Sequence, residues 1–157
     1  MARPSTTTHQ APECLAACRL LAEVMVRALR SNSKDDVLAP LQQTIPMSSA
    51  LQSVAQGDYK AKAENQIKGS GYVVQSLEAA LWCFWRTDSF PACVLLAANL
   101  GDDADTTAAV AGQLAGAFYG ESGIPAPWLN QLTMARDIGQ WAEQLVLQKP
   151  RDDGRVA

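Results

Sequence analysis

The sequence predicts an all-α protein. Helical spacing is the only periodicity that persists along the 157 residues, and no segment shows the alternation of apolar and polar residues typical of a half-buried strand. Apolar residues make up 48% of the chain and charged residues 18%, which indicates a globular protein with a buried core rather than a disordered chain. We expect one domain over residues 1–147 and a polar tail over residues 148–157.

Charge, hydropathy and cysteine usage exclude several classes of protein. The net charge of −3 leaves no basic face to neutralise phosphates, so we expect no nucleic-acid binding. The sequence has neither an apolar run of membrane-spanning length nor a secretory signal pattern, which predicts a cytoplasmic protein without membrane contact. The cysteines lack CxxC spacing, and we interpret them as buried free thiols rather than disulfides. They are Cys14, Cys18, Cys83 and Cys93.

The first predicted helix covers residues 13–30. Its apolar side chains recur at i, i+4, i+7, i+11 and i+14, which is the pattern of an amphipathic surface helix. Arg19, Glu23 and Arg27 mark the opposite face at the spacing of i,i+4 ion pairs.

Two shorter helices follow, and serine residues are expected to cap them. Ser33 opens a motif that resembles a capping box and predicts a short helix ending near Pro40. Ser48 or Ser49 is expected to cap another short helix that ends by Gly57.

The second half of the chain predicts the more deeply buried helices. Residues 72–85 are almost continuously apolar and read as a central buried helix. Ser89 and Pro91 mark the start of the next helix, because proline is favoured in the first helical turn. The helix at residues 107–119 is rich in alanine and glycine, so neighbouring helices are expected to approach it closely. Two last helices are predicted near residues 128–134 and 137–147.

The segment GDDADTT at residues 101–107 stands where this small-residue helix should begin. Three carboxylates within four residues repel one another unless a cation neutralises them. Carboxylates and a hydroxyl are the ligands of hard cations such as Mg²⁺, Mn²⁺ or Ca²⁺. The spacing excludes an EF-hand, since Ala108 and Leu114 occupy the positions of its glycine and glutamate. Two interpretations remain, a metal site or a capped and solvated acidic turn.

The segment GSGY at residues 69–72 is a second candidate. It is not a dinucleotide fingerprint, because no third glycine follows at the right offset and no strand precedes it. A helix N-terminus beside an aromatic ring could hold an anionic, ring-bearing ligand, or the segment could be an ordinary turn before a half-buried Tyr72. The single histidine, His9, has the position of an incidental surface residue.

Two stretches of sequence carry a family resemblance. Residues 69–84 (GSGYVVQSLEAALWCF) and 99–120 (NLGDDADTTAAVAGQLAGAFYG) resemble the C-terminal half of the ADP-ribosylglycohydrolase family. Thr8 and His9, with the helix that follows, are similar to the middle segment of that family, so the likeness runs from about residue 8 to residue 146. It implies an all-α fold, a two-metal Mg²⁺ or Mn²⁺ centre, and hydrolysis of the bond between ADP-ribose and a modified side chain or small molecule.

The resemblance also assigns roles to individual residues. It implies that the metal ligands are Asp103, Asp105 and Thr106. It leaves Asp102 outside the ligand set, because relatives often have glycine at that position. It implies that the substrate-binding residues are His9, Gly69, Gly71 and Tyr72.

The chain also departs from the family pattern. Family members are longer, and their N-terminal half carries another acidic metal-binding motif and the acid implicated in activating water. Neither has a counterpart here, so the sequence identifies no catalytic residue. We therefore expect the C-terminal part of an ADP-ribosyl hydrolase, active only when a complementing N-terminal half completes the site. The isolated chain is expected to form a homo-oligomer or to aggregate, because the missing half would leave apolar surface bare. The alternative is a non-catalytic remnant that binds ADP-ribose, a metal or a protein partner.

Overall fold

The computed structural model describes residues 5–41 and 46–147 of the protein. Within these ranges it contains eight α-helices, joined by loops and short 3₁₀ turns, and no strand, which confirms the all-α prediction. The predicted polar tail lies outside the described residues. The helices are α1 (Pro12–Ala28), α2 (Lys34–Val37), α3 (Ser49–Gln56), α4 (Val73–Arg86), α5 (Phe90–Asn99), α6 (Ala104–Tyr119), α7 (Ala126–Gln131) and α8 (Ala135–Leu147).

The chain divides into two compact units, residues 1–124 with α1–α6 and residues 125–157 with α7 and α8. Helix α4 is the centre of the first unit, as its apolar sequence predicts. Ten of its residues are buried, Trp82 and Phe84 almost completely. The indole N–H of Trp82 donates a 3.0 Å hydrogen bond to the carbonyl of Lys62, so its one polar atom is satisfied. The ring of Phe84 meets Phe118 and Tyr119 edge-on, at centroid distances of 5.3 and 6.2 Å.

Helix α6 packs against α5, α4 and α1 through its small residues. A Cβ on Gly112 would lie 3.6 Å from a methyl group of Val94 on α5, which is an ordinary van der Waals contact. Asp103 occupies the N-cap position, and Gly120 ends the helix with a φ of 72°, a left-handed value that favours glycine. The N-terminus of α6 is thus held by the packed core of the unit.

The predicted serine caps are all present. The hydroxyls of Ser33, Ser48 and Ser89 accept hydrogen bonds from the backbone N–H three residues further on, at 3.3, 3.2 and 3.3 Å. Gly57 ends α3 with a φ of 87°. These local signals could be located from the sequence because each depends on one side chain and the adjacent backbone.

Helix α1 buries mainly a face beside the apolar stripe that the sequence analysis identifies. Of that stripe only Ala28 is buried, and the other members, Cys14, Cys18, Leu21 and Met25, are only partly buried. The alanine-rich face beside it allows a closer approach to α4 and α6, and it takes the core position. The residues of α1 that are buried are Ala16, Ala17, Leu20, Val24 and Ala28. The expected i,i+4 pair forms between Glu23 and Arg27 at 2.9 Å.

All four cysteines are free thiols, as expected, but the prediction that all are buried is wrong for two of them. Cys83 and Cys93 lie in the core, whereas Cys14 and Cys18 are partly exposed. The difference follows from the orientation of α1, which turns its cysteine-bearing side away from the centre of the unit.

The second unit consists of α7 and α8. Met134 separates the two helices with a φ of 61°, in the region that favours glycine, so no residue type marks this break in the sequence. Ile138, Trp141 and Leu145 follow one another at helical spacing on α8 and are 43%, 53% and 73% exposed. None of the helices in the described ranges is long and apolar enough to cross a membrane.

We expect Thr107→Val to leave the free energy of unfolding unchanged or raise it by up to about 1 kcal/mol. Thr107 is fully buried, and its hydroxyl makes no hydrogen bond with a described residue, so removing it removes an uncompensated polar group. As a control, truncating the fully buried Leu114 to alanine in the same helix should lower the free energy by about 2–5 kcal/mol. Urea denaturation followed by circular dichroism checks both values. A clear loss of stability in Thr107→Val would show that the hydroxyl is satisfied.

Candidate functional site

A backbone hydrogen bond joins the glycine turn (residues 69–72) to the acidic turn (residues 101–107). The N–H of Asp103 donates to the carbonyl of Gly69 over 2.8 Å. A Cβ at Gly69 would lie 3.1 Å from the carbonyl oxygen of Gly101 and 3.2 Å from Oγ1 of Thr107. These distances are shorter than ordinary Cβ contacts, so a larger residue at this position would push the two turns apart. The close approach therefore explains the glycine at position 69.

The second glycine of the glycine turn makes room for a carboxylate. A Cβ on Gly71 would lie 3.2 Å from Oδ2 of Asp103, so the carboxylate rests against this turn. The acidic turn itself has left-handed backbone at Gly101 and Asp102, with φ values of 76° and 56°. Aspartate tolerates this conformation better than most residues do. Asp102 is exposed and contributes to the shape of the turn.

Asp103 and Asp105 form a pair of carboxylates at the N-terminus of α6. The backbone N–H of Thr106 is the main cause that lowers the pKa of the Asp105 carboxyl, followed by the Asp103 side chain and the N–H of Asp105 itself. An ionised carboxylate with another beside it and a nearby threonine hydroxyl offers oxygen ligands suited to Mg²⁺ or Mn²⁺. In the described part of the chain, no group of three or more His, Cys, Asp or Glu side chains is placed to hold a metal ion. Two carboxylates and one hydroxyl fall short of such a group, so metal binding stays a prediction.

A cavity of about 620 Å³ lies next to these turns, between α1, α4 and α6. Tyr72 is 45% exposed at its edge. A ring nitrogen of His9, Nδ1, lies 3.1 Å from Oγ1 of Thr8, which also lines the cavity. Gly69 and the two carboxylates lie outside the lining, in the adjoining turns. The residues predicted from the sequence that do line the cavity are His9, Gly71, Tyr72 and Thr106.

The rest of the cavity wall is mostly apolar. One buried polar group interrupts it, because Ser76 on α4 is 5% exposed and its hydroxyl has no hydrogen-bond partner among the described residues. The oxygen itself is inaccessible to water, so it lies behind the cavity surface rather than facing the open space. The apolar and cysteine residues of the wall are Ala11, Cys14, Ala17, Cys18, Leu21, Val73, Leu77 and Val110.

The sequence analysis missed Glu13, which organises the rim of the cavity. The Tyr72 hydroxyl donates a 2.6 Å hydrogen bond to Oε2 of Glu13, and the Ser48 hydroxyl donates to Oε1. These two bonds, Ser48 first, hold the pKa of the Glu13 carboxyl below its usual value. The hydrogen bond between Tyr72 and Glu13 also raises the pKa of the Tyr72 hydroxyl. Glu13 reads in the sequence as an ordinary acid in a first helical turn, so only its contacts across 35 and 59 residues reveal the role.

The family model described as ADP-ribosylglycohydrolase matches residues 1–154. The chain is 44% identical over 149 residues to the ADP-ribosylarginine hydrolase Tri1 of Serratia proteamaculans (strain 568), an alignment covering 95% of this chain and 40% of the relative. It is 45% identical over 81 residues to the ADP-ribosyl-[dinitrogen reductase] glycohydrolase of Rhodospirillum rubrum, covering 50% of this chain and 28% of the relative.

A solved structure agrees with these matches. A chain of an ADP-ribosylglycohydrolase-related protein complex superposes with a TM-score of 0.81 at 40% identity, covering 90% of this chain and 49% of that chain. The all-α fold of the chain is thus the fold of this structural neighbour. The chain belongs to the ADP-ribosylglycohydrolase family. It spans about 40% of the length of Tri1 from Serratia.

We expect Gly69→Ala to lower the free energy of unfolding by about 1–3 kcal/mol, because its Cβ would force the glycine turn away from the acidic turn. The matched control is Gly112→Ala, whose Cβ meets only ordinary contact at 3.6 Å and whose helix should gain about 0.5–1 kcal/mol. Thermal and urea unfolding compare the two variants. Equal stability of both would contradict the close approach at Gly69.

The hydrogen bond between Tyr72 and Glu13 predicts a pH dependence. In the folded protein the pKa of Glu13 lies below its usual value of 4.5. The stabilisation of the fold by the hydrogen bonds of this carboxylate is therefore present above pH 4.5 and is lost as the pH falls through the folded pKa. The folded pKa of Tyr72 lies above 10.0, so the bond is also lost as pH rises through that pKa. The Tyr72 ring resonances in NMR should stay constant from about pH 5 to 9 and move outside that range. An acid-side shift that persists in Glu13→Gln would contradict this assignment.

Proposed function

We propose that this chain forms the ADP-ribose-binding side of an ADP-ribosyl hydrolase and supplies one half of its metal centre. The observation that carries the proposal is the hydrogen bond between the glycine turn and the acidic turn beside the cavity. It places a backbone segment suited to a diphosphate next to carboxylates suited to a cation. Tyr72, just before α4, lines the same cavity and would contact that ligand.

The donor set fits a hard divalent cation. Asp103, Asp105 and Thr106 would hold Mg²⁺ or Mn²⁺ through two carboxylates and a hydroxyl. When bound, such a cation supplies charge stabilisation and activates water in hydrolysis. The depressed pKa of Asp105 keeps that carboxylate ionised, and Gly71 leaves space for the carboxylate of Asp103.

The cavity residues would bind and orient the ADP-ribosyl group. The ring of Tyr72 offers a stacking surface, and the bond from its hydroxyl to Glu13 fixes the ring orientation. Gly71 lines the cavity and carries no side chain, so its backbone would be accessible to the ligand. His9 lies at the same cavity, where a ring N–H can donate to a phosphate or ribose oxygen.

The substrate class comes from the relatives. Tri1 is named as an ADP-ribosylarginine hydrolase, and the Rhodospirillum rubrum protein as a glycohydrolase of ADP-ribosylated dinitrogen reductase. We therefore propose an ADP-ribosylated protein side chain as the substrate, with arginine as the first linkage to test. A complementing N-terminal half would supply the remaining metal ligands and the general base. Four free thiols favour a reducing compartment such as the cytoplasm.

Titration calorimetry with Mg²⁺ or Mn²⁺ tests the metal half of the proposal. Wild-type protein should bind the cation weakly, and Asp103→Ala/Asp105→Ala should abolish the binding because both carboxylates are lost. The matched control, Asp35→Asn/Asp36→Asn, removes two neighbouring exposed acids from α2 and should bind as wild type does. Equal binding by all three proteins would contradict the metal site.

Saturation-transfer NMR with ADP-ribose and Mg²⁺ tests the ligand half. Tyr72→Ala should weaken binding about tenfold because the stacking surface is lost, while Tyr72→Phe keeps the ring and should lose less. Chelating the metal should weaken binding further. Binding that neither Tyr72→Ala nor chelation affects would place the ligand elsewhere. Release of ADP-ribose from an ADP-ribosylarginine peptide then separates a hydrolase from the alternative, a binding protein without catalysis.

A further inference from the structure

Two cysteines line the cavity on one side of α1. Cys14 and Cys18 are four residues apart, so their side chains lie one helical turn apart on the same face, and both contribute to the cavity wall. Each is partly exposed, whereas Cys83 and Cys93 are buried. A solute that enters the cavity can therefore reach two of the four thiols.

The two accessible thiols share the cavity with the residues proposed to bind ADP-ribose. Cys14 lies close enough to the Tyr72 hydroxyl that its charge contributes to the raised pKa of that group, after the effects of Glu13 and burial. A group attached to either thiol would occupy the space that ADP-ribose is proposed to fill.

The helical spacing decides which reaction the two thiols favour. Side chains at i and i+4 have Cβ atoms about 5–6 Å apart, whereas a disulfide needs about 3.5–4.5 Å, so a bond between the two cysteines would distort α1. Exchange with a small disulfide has no such constraint. The cysteine thiolate attacks one sulfur, the S–S bond breaks, a mixed disulfide forms on the protein, and the other half leaves as a thiol carrying the proton. The small disulfide is the oxidant, and one of its sulfurs is reduced.

The core thiols are poor competitors for this exchange. Burial raises the pKa of Cys83 to about 12 and that of Cys93 to about 11, which leaves little thiolate at neutral pH. Neither lines the cavity. Modification of the folded protein is therefore expected to be confined to α1.

We propose that Cys14 and Cys18 form a thiol-exchange site at which a low-molecular-weight disulfide reversibly closes the cavity. The effect of closure on ligand binding rests on the proposed function, because it assumes that this cavity is the ADP-ribose site. The exchange itself depends only on the accessibility of the two thiols.

The site is tested by incubating the folded chain with glutathione disulfide and locating the adducts by peptide mass spectrometry. Adducts should form on Cys14 and Cys18 at least about tenfold faster than on Cys83 and Cys93, and dithiothreitol should remove them. The matched control, Cys14→Ser/Cys18→Ser, should form adducts only at the slower rate of the two core thiols. Adducts absent from wild type, or equally fast on the core thiols, would overturn the proposal.

The closure is tested by measuring ADP-ribose binding before modification, after it, and after reduction. Binding should fall at least about tenfold on modification and recover with dithiothreitol. In Cys14→Ser/Cys18→Ser, whatever its own affinity, the reagent should change nothing. Unchanged binding by the modified wild type would overturn the closure. If the untreated chain does not bind ADP-ribose, the proposed function fails instead, and the adduct map alone then supports or overturns the exchange site.

Discussion

The hydrogen bond from the Asp103 N–H to the Gly69 carbonyl connects two segments that lie 34 positions apart in the sequence and meet at 2.8 Å. It ties the N-terminus of α6 to the loop that leads into α4. The space between the two turns is too small for a side chain at position 69, and Gly71 admits the Asp103 carboxylate. The relative position of the carboxylates and Tyr72 depends on this junction, and so does the proposed binding of ADP-ribose and metal.

The core of the first unit holds the junction in place. Helix α4 is buried along most of its length, and α6 packs tightly against α5 because its contacting residues are small. A site whose ligands stand at the ends of such helices is preorganised, since neither end can move without disturbing the core. Helix α1 supplies the opposite wall, and Glu13 links its first turn to Tyr72 and to Ser48 before α3.

Much of this arrangement could be predicted from the sequence, because its signals are local. The serine caps, the buried α4 and the acidic start of α6 each follow from a few neighbouring residues. The role of Glu13 could not be predicted, because it depends on tertiary contacts with residues far along the chain. The buried face of α1 was also hidden, since two adjacent stripes of that helix are apolar and only packing selects between them. The break at Met134 has no residue-type signal, because its left-handed φ is one that glycine usually provides.

The measurement that tests the central claim most directly is paramagnetic broadening of backbone amide resonances by substoichiometric Mn²⁺ in the isotope-labelled protein. If the two turns form one cation-binding unit, the amides of residues 102–106 and those of residues 69–71 should broaden together. The two segments are far apart in the sequence, so joint broadening reports their contact in the fold. The amides of the exposed acids Asp35 and Asp36 should stay sharp. Broadening confined to the acidic turn, with the glycine turn unaffected, would contradict the account.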